Sequence, residues 1–222
     1  MNEYIQTLKL EFEKHQNPVV ASEQKAYMRH QFEFYGLKAQ VRRDIQKPFL
    51  VTKYLPPNEE LHGIVKELWE LPQRDFQLFA QELVFKYAKG FDKSDMALLE
   101  FMVVNKSWWD TVDYIAYKLM GAYLYQYPED RRYYADKWLH SCNMWLQRSA
   151  LLFQLKYKEE LDTELLSHCI VKLLGSKEFF INKAIGWVLR EYSKTNSQWV
   201  LEFVNAHFLH PLSRREALRL IK

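Results

Sequence analysis

The chain has 222 residues, enough to bury a substantial core as one large domain or two small ones. Fourteen Phe, fourteen Tyr and seven Trp set against six Gly and seven Pro exclude a turn-rich all-β protein. A net charge of +3 fixes no partner by itself, and Cys142 and Cys169 lack metal or redox spacing, so they read as reduced thiols.

Taken in order, the chain reads as helix after helix. Asn2–His15 carries Tyr4, Leu8 and Phe12 at four-residue spacing, which predicts a short amphipathic helix ended by Asn17-Pro18. The chain does not open on a basic segment followed by an apolar run, and no stretch approaches about 18 apolar residues. A soluble, cytoplasmic protein with no membrane partner is therefore expected. Ser22–Gln31, with Tyr27 and Met28, predicts the second helix. Leu37–Tyr54 carries Lys38, Arg42, Arg43 and Lys47, with Pro48 placed to kink or break it. Pro56-Pro57 marks the firmest boundary.

Beyond that boundary a pattern repeats. Helix pairs are expected over Asn58–Leu71 and Pro72–Lys89, Lys93–Val104 and Ser107–Tyr127, and Asp130–Ser141 and Asn143–Tyr157. Asp162–Leu174 with Lys177–Thr195, then Asn196–Phe208 with Ser213–Lys222, complete the series. First helices recur roughly every 35 residues, the signature of stacked helical hairpins whose second helices line a concave surface. The expectation is one all-α domain over 1–222, with N-terminal helices in 1–57 and about five helix-pair repeats in 58–222.

Ser107-Trp108-Trp109-Asp110-Thr111-Val112-Asp113 is the stretch on which a site would centre. Ser107 is placed as an N-cap with Asp110 as the capping-box acid. Trp108, Val112, Ile115 and Leu119 form the buried stripe, and Trp109 and Asp113, four apart, share a face beside it. Two readings stand open: a second core tryptophan with a solvated acid, or an indole and a carboxylate working together.

The later second helices add cations. Lys183, Trp187, Arg190 and Lys194 run beside the buried Ile181, Ile185, Val188 and Tyr192. They read either as snorkelling side chains around a packed Trp or as phosphate contacts flanking a ring. Arg148 sits among Trp145, Leu146, Ala150, Leu151 and Leu152, where it needs a carboxylate or phosphate partner. Ser213-Arg214-Arg215 reads as a capped helix start suited to a phosphate. From Arg148 onward twelve Lys/Arg face eight Asp/Glu, a basic end that suits a polyanion or is simply solvated.

Ser107–Asp113, Trp145-Leu146-Gln147-Arg148-Ser149-Ala150 and Phe153-Gln154-Leu155-Lys156-Tyr157-Lys158 resemble the DNA alkylation repair family, the AlkD-type glycosylases. So do Lys177–Tyr192, with Phe-Phe-Ile-Asn-Lys-Ala-Ile-Gly-Trp at its centre, and Leu212–Ala217. The likeness runs in order through nearly the whole chain. One departure is Gln40 ahead of Val41-Arg42-Arg43, where the family commonly has a Pro, which is expected to loosen the start of the third helix. A C-terminal tail seen in relatives is expected to be missing.

The resemblance implies a monofunctional glycosylase releasing N3- and N7-alkylpurines from duplex DNA on a HEAT-like scaffold, as a monomer without cofactor or metal. It implies Asp113 at the glycosidic bond and Trp109, Trp187 and Tyr27 against the damaged nucleotide. Arg148 is implied as partner of Asp113 and of the backbone, with Lys156, Lys183, Arg190, Lys194, Arg214 and Arg215 toward phosphates. The chemistry agrees with so sparse a site. Breaking the C1′–N bond builds positive charge on the sugar. An alkylated purine is already cationic and leaves without an acid, so one carboxylate suffices to stabilise the sugar and orient water.

A rival reading is a helical-repeat scaffold that binds damaged or branched DNA without chemistry. It does not require Trp109, Asp113, Arg148 and Trp187 to occur together. The scattered histidines, with no HxxxH or Cys/His cluster, argue against a metal hydrolase.

Overall fold

The structure, a computed structural model, describes residues 2–221. Among them every regular element is helical apart from an isolated parallel bridge between Glu33 and Gln73. No helix is long and apolar enough to cross a membrane. The chain forms two compact units, Met1–Gly90 and Phe91–Lys222.

The first unit holds α1 (Glu3–Lys14), α2 (Pro18–Tyr27), α3 (Ala39–Gln46), α4 (Asn58–Glu70) and α5 (Arg74–Phe85). Asn17-Pro18 opens α2 rather than closing α1. The Asn17 carboxamide accepts the Val19 and Val20 N–H groups, and Pro18 needs no N–H in the first turn. The break at Pro48 is present: α3 ends at Gln46 and gives way to short 3-10 turns over Lys47–Leu50 and Thr52–Tyr54. Gln40 lies in the first turn of α3, where its amide reaches Asp44 at 2.9 Å. Helix α5 meets α1 and α3, and α4 packs on α5. Tyr4 packs on Phe79, and buried Arg42 donates to Gln46 and Glu82.

The second unit holds α6 (Asp95–Val104), α7 (Trp109–Tyr114), a π-helical run (Ile115–Met120) and α8 (Gly121–Gln126). There follow α9 (Arg131–Leu139), α10 (Met144–Leu152), α11 (Thr163–Lys172), α12 (Phe179–Tyr192), α13 (Ser197–Ala206) and α14 (Pro211–Ala217). Helices α10, α11 and α13 start where expected because Asn143, Asp162 and Asn196 each accept first-turn N–H groups. Several bonds span 35 to 38 residues of sequence. Trp138 donates to Glu100 across 38 residues, Tyr157 to Gly121 across 36 and Lys156 to Glu191 across 35.

Two expected helix starts are corrected. Ser107 does not cap: its hydroxyl donates to the Val103 carbonyl at 2.6 Å, and extended Trp108 precedes α7 instead. Ser213 is not the start of the last helix, which opens at Pro211 with the His210 ring accepting the Leu212 N–H. Ser213 lies fully buried inside α14 and donates to the Asn182 carbonyl at 2.8 Å. The expected far end of this helix, Lys222, lies outside the described residues.

Asn182 and Gly186, one turn apart on α12, thus both face α14. A Cβ on Gly186 would lie 2.5 Å from the Glu216 Cβ and 2.9 Å from the Ser213 carbonyl oxygen. Gly186→Ala is therefore expected to destabilise the protein by about 1–3 kcal/mol through overpacking. That outweighs the roughly 0.8–1 kcal/mol by which Ala is the better helix former. Urea unfolding checks it; an unchanged midpoint would mean that α14 can shift aside.

Candidate active site

Asp113 lies in the last turn of α7, and Arg148 lies in the middle of α10. Their side chains form a two-pronged pair: Nε donates to Oδ1 at 2.7 Å and Nη2 donates to Oδ2 at 2.9 Å. The third guanidinium nitrogen, Nη1, donates to the carbonyl of Phe180 at the start of α12. All three nitrogens of Arg148 are thereby engaged within the protein, and the residue is only 3% exposed. It holds Asp113 rather than presenting an open cation. The planar fork explains why an arginine is needed at this place.

Arg148 is backed by rings. Trp108 packs on Trp145 and Phe180 with centroids at 5.8 and 5.4 Å, and Trp145 lies 5.0 Å from Phe180. Of these rings, Phe180 lies 5.9 Å from the Arg148 guanidinium carbon. Burial is the largest influence on Asp113 and raises its pKa above the ordinary carboxylate value, with Arg148 pulling against it. A carboxylate that must be ionised to work loses activity as the pH falls through its pKa. Arg148→Gln removes the opposing cation, so the acidic limb of the pH–rate profile is expected to move to higher pH. Coincident limbs in wild type and variant would show that the pair does not set this ionisation.

The helix carrying Asp113 is underwound. Thr111-Val112, Ile115-Ala116, Leu119-Met120 and Tyr123-Leu124 are all fully buried, so buried pairs repeat every four residues. An ordinary α-helix would carry residues four apart about 40° past alignment. The wider π turn over Ile115–Met120 absorbs that drift. The flank beside them keeps the same spacing, with Trp109, Asp113 and Tyr117 all half-buried.

Trp187, half-buried on α12, meets this face through Tyr117, ring edge to ring face at 6.4 Å and 76°. Tyr117 is not among the residues expected from sequence; the four-residue period running on from Trp109 and Asp113 is the signal that could have found it. Burial, then the Asp113 charge, raises the Tyr117 phenol above its ordinary pKa. Tyr27 ends α2 in the first unit and is 71% exposed.

The expected cations are less open than sequence suggests. Lys183 meets Glu216 at 2.9 Å, and Arg190 bonds the other oxygen of the same carboxylate. Lys156 and Lys194 share Glu191, at 2.7 and 2.5 Å. Arg214 donates to the Val204 carbonyl at 2.8 Å and to Asn205 at 3.3 Å, while Arg215 is exposed on α14. Glu191 and Glu216 are anionic partners that a one-dimensional charge count does not reveal. Both have lowered pKa values: in Glu216 its bond to Lys183 dominates, and in Glu191 the bonds to Lys156 and Lys194 overcome burial. No group of three or more His, Cys, Asp or Glu able to hold a metal occurs among the described residues.

Residues 8–221 match the family model described as DNA alkylation repair enzyme. A solved structure described as a predicted DNA alkylation repair enzyme from Enterococcus faecalis is 33% identical, with a TM-score of 0.87. The match covers 93% of this chain and 96% of that one. No curated protein matches the chain significantly.

Proposed function

The chain belongs to the DNA alkylation repair enzyme family, and from that premise we propose that it is a monofunctional, AlkD-type DNA glycosylase. It hydrolyses the N-glycosidic bond of cationic N3- and N7-alkylpurines in duplex DNA, working as a cytoplasmic monomer without cofactor. In this reading 1–222 act as one HEAT-like repeat domain whose second helices line a concave DNA groove. The observation that supports it best is the fixed Asp113–Arg148 pair, with Trp109 and Tyr117–Trp187 on the same flank.

The Asp113 carboxylate stabilises the positive charge growing on the sugar and orients the attacking water. Arg148 fixes the direction of both oxygens and favours their ionised form. The indoles of Trp109 and Trp187 attract a cationic nucleotide through their electron-rich faces, each contributing about 0.5–2 kcal/mol. Tyr27 is assigned a nucleotide contact as well. Lys156, Lys183, Arg190, Lys194, Arg214 and Arg215 contact phosphates, several of them by exchanging a carboxylate partner for the DNA backbone.

Incubation with methylated duplex DNA, followed by chromatography of the released bases, tests this reading. Free 3-methyladenine or 7-methylguanine is the expected product. DNA binding without any released base would instead leave a non-catalytic scaffold.

A further inference from the structure

We propose that Tyr117 is a positioning residue of this site: the edge contact between its ring and Trp187 sets the plane of that indole before a nucleotide arrives. The inference rests on the glycosylase reading above and adds a residue to it.

Three observations carry it. First, the four-residue burial period and the π turn place Tyr117 on the Trp109–Asp113 face, one turn beyond the carboxylate. In a regular helix it would drift about 40° further round. Second, Tyr117 and Trp187 make their edge-to-face contact at 6.4 Å and 76°, a favourable arrangement of ring quadrupoles. Third, the backbone beneath Trp187 is already fixed. Gly186 lies against Ser213 and Glu216 of α14, and the Phe180 carbonyl is tied to Arg148. With α12 held, the freedom left to Trp187 is rotation of its side chain, and Tyr117 is the ring that opposes it. A preset indole saves the cost of ordering at the moment of binding, which matters most for a ring asked to recognise a cation in one orientation.

The test uses the full-length protein, single-turnover release of 7-methylguanine from a defined duplex, and fluorine NMR of protein labelled with 5-fluorotryptophan. The Trp187 resonance is assigned by its disappearance in Trp187→Phe. Tyr117→Leu is expected to slow release about ten- to a hundredfold, with unchanged affinity for undamaged duplex and a shifted or broadened Trp187 signal. Tyr117→Phe keeps the ring and is expected to retain most of the rate and the wild-type signal. In the Trp187→Ala background, Tyr117→Leu is expected to add almost nothing, because the two side chains act as one unit.

A Trp187 resonance unmoved by Tyr117→Leu overturns the proposal whether or not any base is released. Multiplicative losses in the double variant, or a Phe variant as slow as the Leu variant, overturn it too. A wild-type protein that releases no methylated base while the Trp187 signal still responds to Tyr117→Leu refutes the glycosylase reading and leaves the ring contact standing.

Discussion

Asp113→Asn is expected to slow release of 7-methylguanine from duplex DNA by at least about a hundredfold while affinity for undamaged duplex persists. The substitution keeps the shape and removes the charge. A hundredfold corresponds to about 2.7 kcal/mol of transition-state stabilisation. A carboxylate roughly 4 Å from a developing cation, at an effective dielectric near 20, is worth up to about 4 kcal/mol, so the charge alone is large enough. Folding competes with this effect. Arg148 is 3% exposed and would face a neutral amide whose NH2 group repels one of its donors. Losing one partner of a buried pair costs about 3–5 kcal/mol at the extreme. The Phe180 carbonyl still satisfies one guanidinium nitrogen, and the Asn oxygen satisfies another. Rates are therefore to be compared well below the variant's melting temperature, with its folded fraction measured alongside. Release at the wild-type rate would remove Asp113 from the mechanism.

The second large effect is discrimination by leaving-group charge. Uracil, hypoxanthine and 1,N6-ethenoadenine each need protonation to depart, and general acids typically supply about 10²–10⁴ of rate. The groups placed together here do not supply one at neutral pH. Arg148 is permanently charged and engaged at all three nitrogens, and burial, then the Asp113 charge, raises the Tyr117 phenol pKa above its ordinary value, so the phenol holds its proton more tightly. Duplexes carrying neutral lesions are thus expected to release base at least about a thousandfold more slowly than a 7-methylguanine duplex. Protonated Asp113 is the one acid the site could form. Its use would appear as neutral-base release that rises as the pH falls. Comparable release of both lesion classes at neutral pH would overturn the single-carboxylate mechanism.

Much of the second unit was legible because its signals are local. Asn143, Asp162 and Asn196 cap the helices that were expected to begin at them, and bonds such as Trp138–Glu100 and Arg148–Asp113 join residues 38 and 35 apart. The errors share a cause. Ser107, Asn17 and Ser213 are residue types that both cap helices and bond to neighbouring backbone, and residue type alone does not decide between these uses. Ser213 is held inside α14 by Asn182 on another helix, a partner that local pattern cannot show. The neutralised basic stripe is the same kind of case, since Glu191 and Glu216 meet Lys156, Lys183 and Arg190 only after folding. The π turn was written in the burial period of four, a spacing close enough to 3.6 to pass for an ordinary helix over one or two turns.

The bond from Arg148 to the Phe180 carbonyl makes the site a test of its own assembly. The carboxylate sits on α7, the arginine that aims it on α10, and the backbone oxygen that anchors the arginine on α12. A nascent or partly unravelled chain in which α12 has not docked leaves the guanidinium free to swing, and Asp113 loses its aim. In the proposed reading, chemistry on DNA is in that way withheld until α7, α10 and α12 have docked. In that reading, loss of any one of these three helices switches the site off, even where the remainder of the unit stays folded.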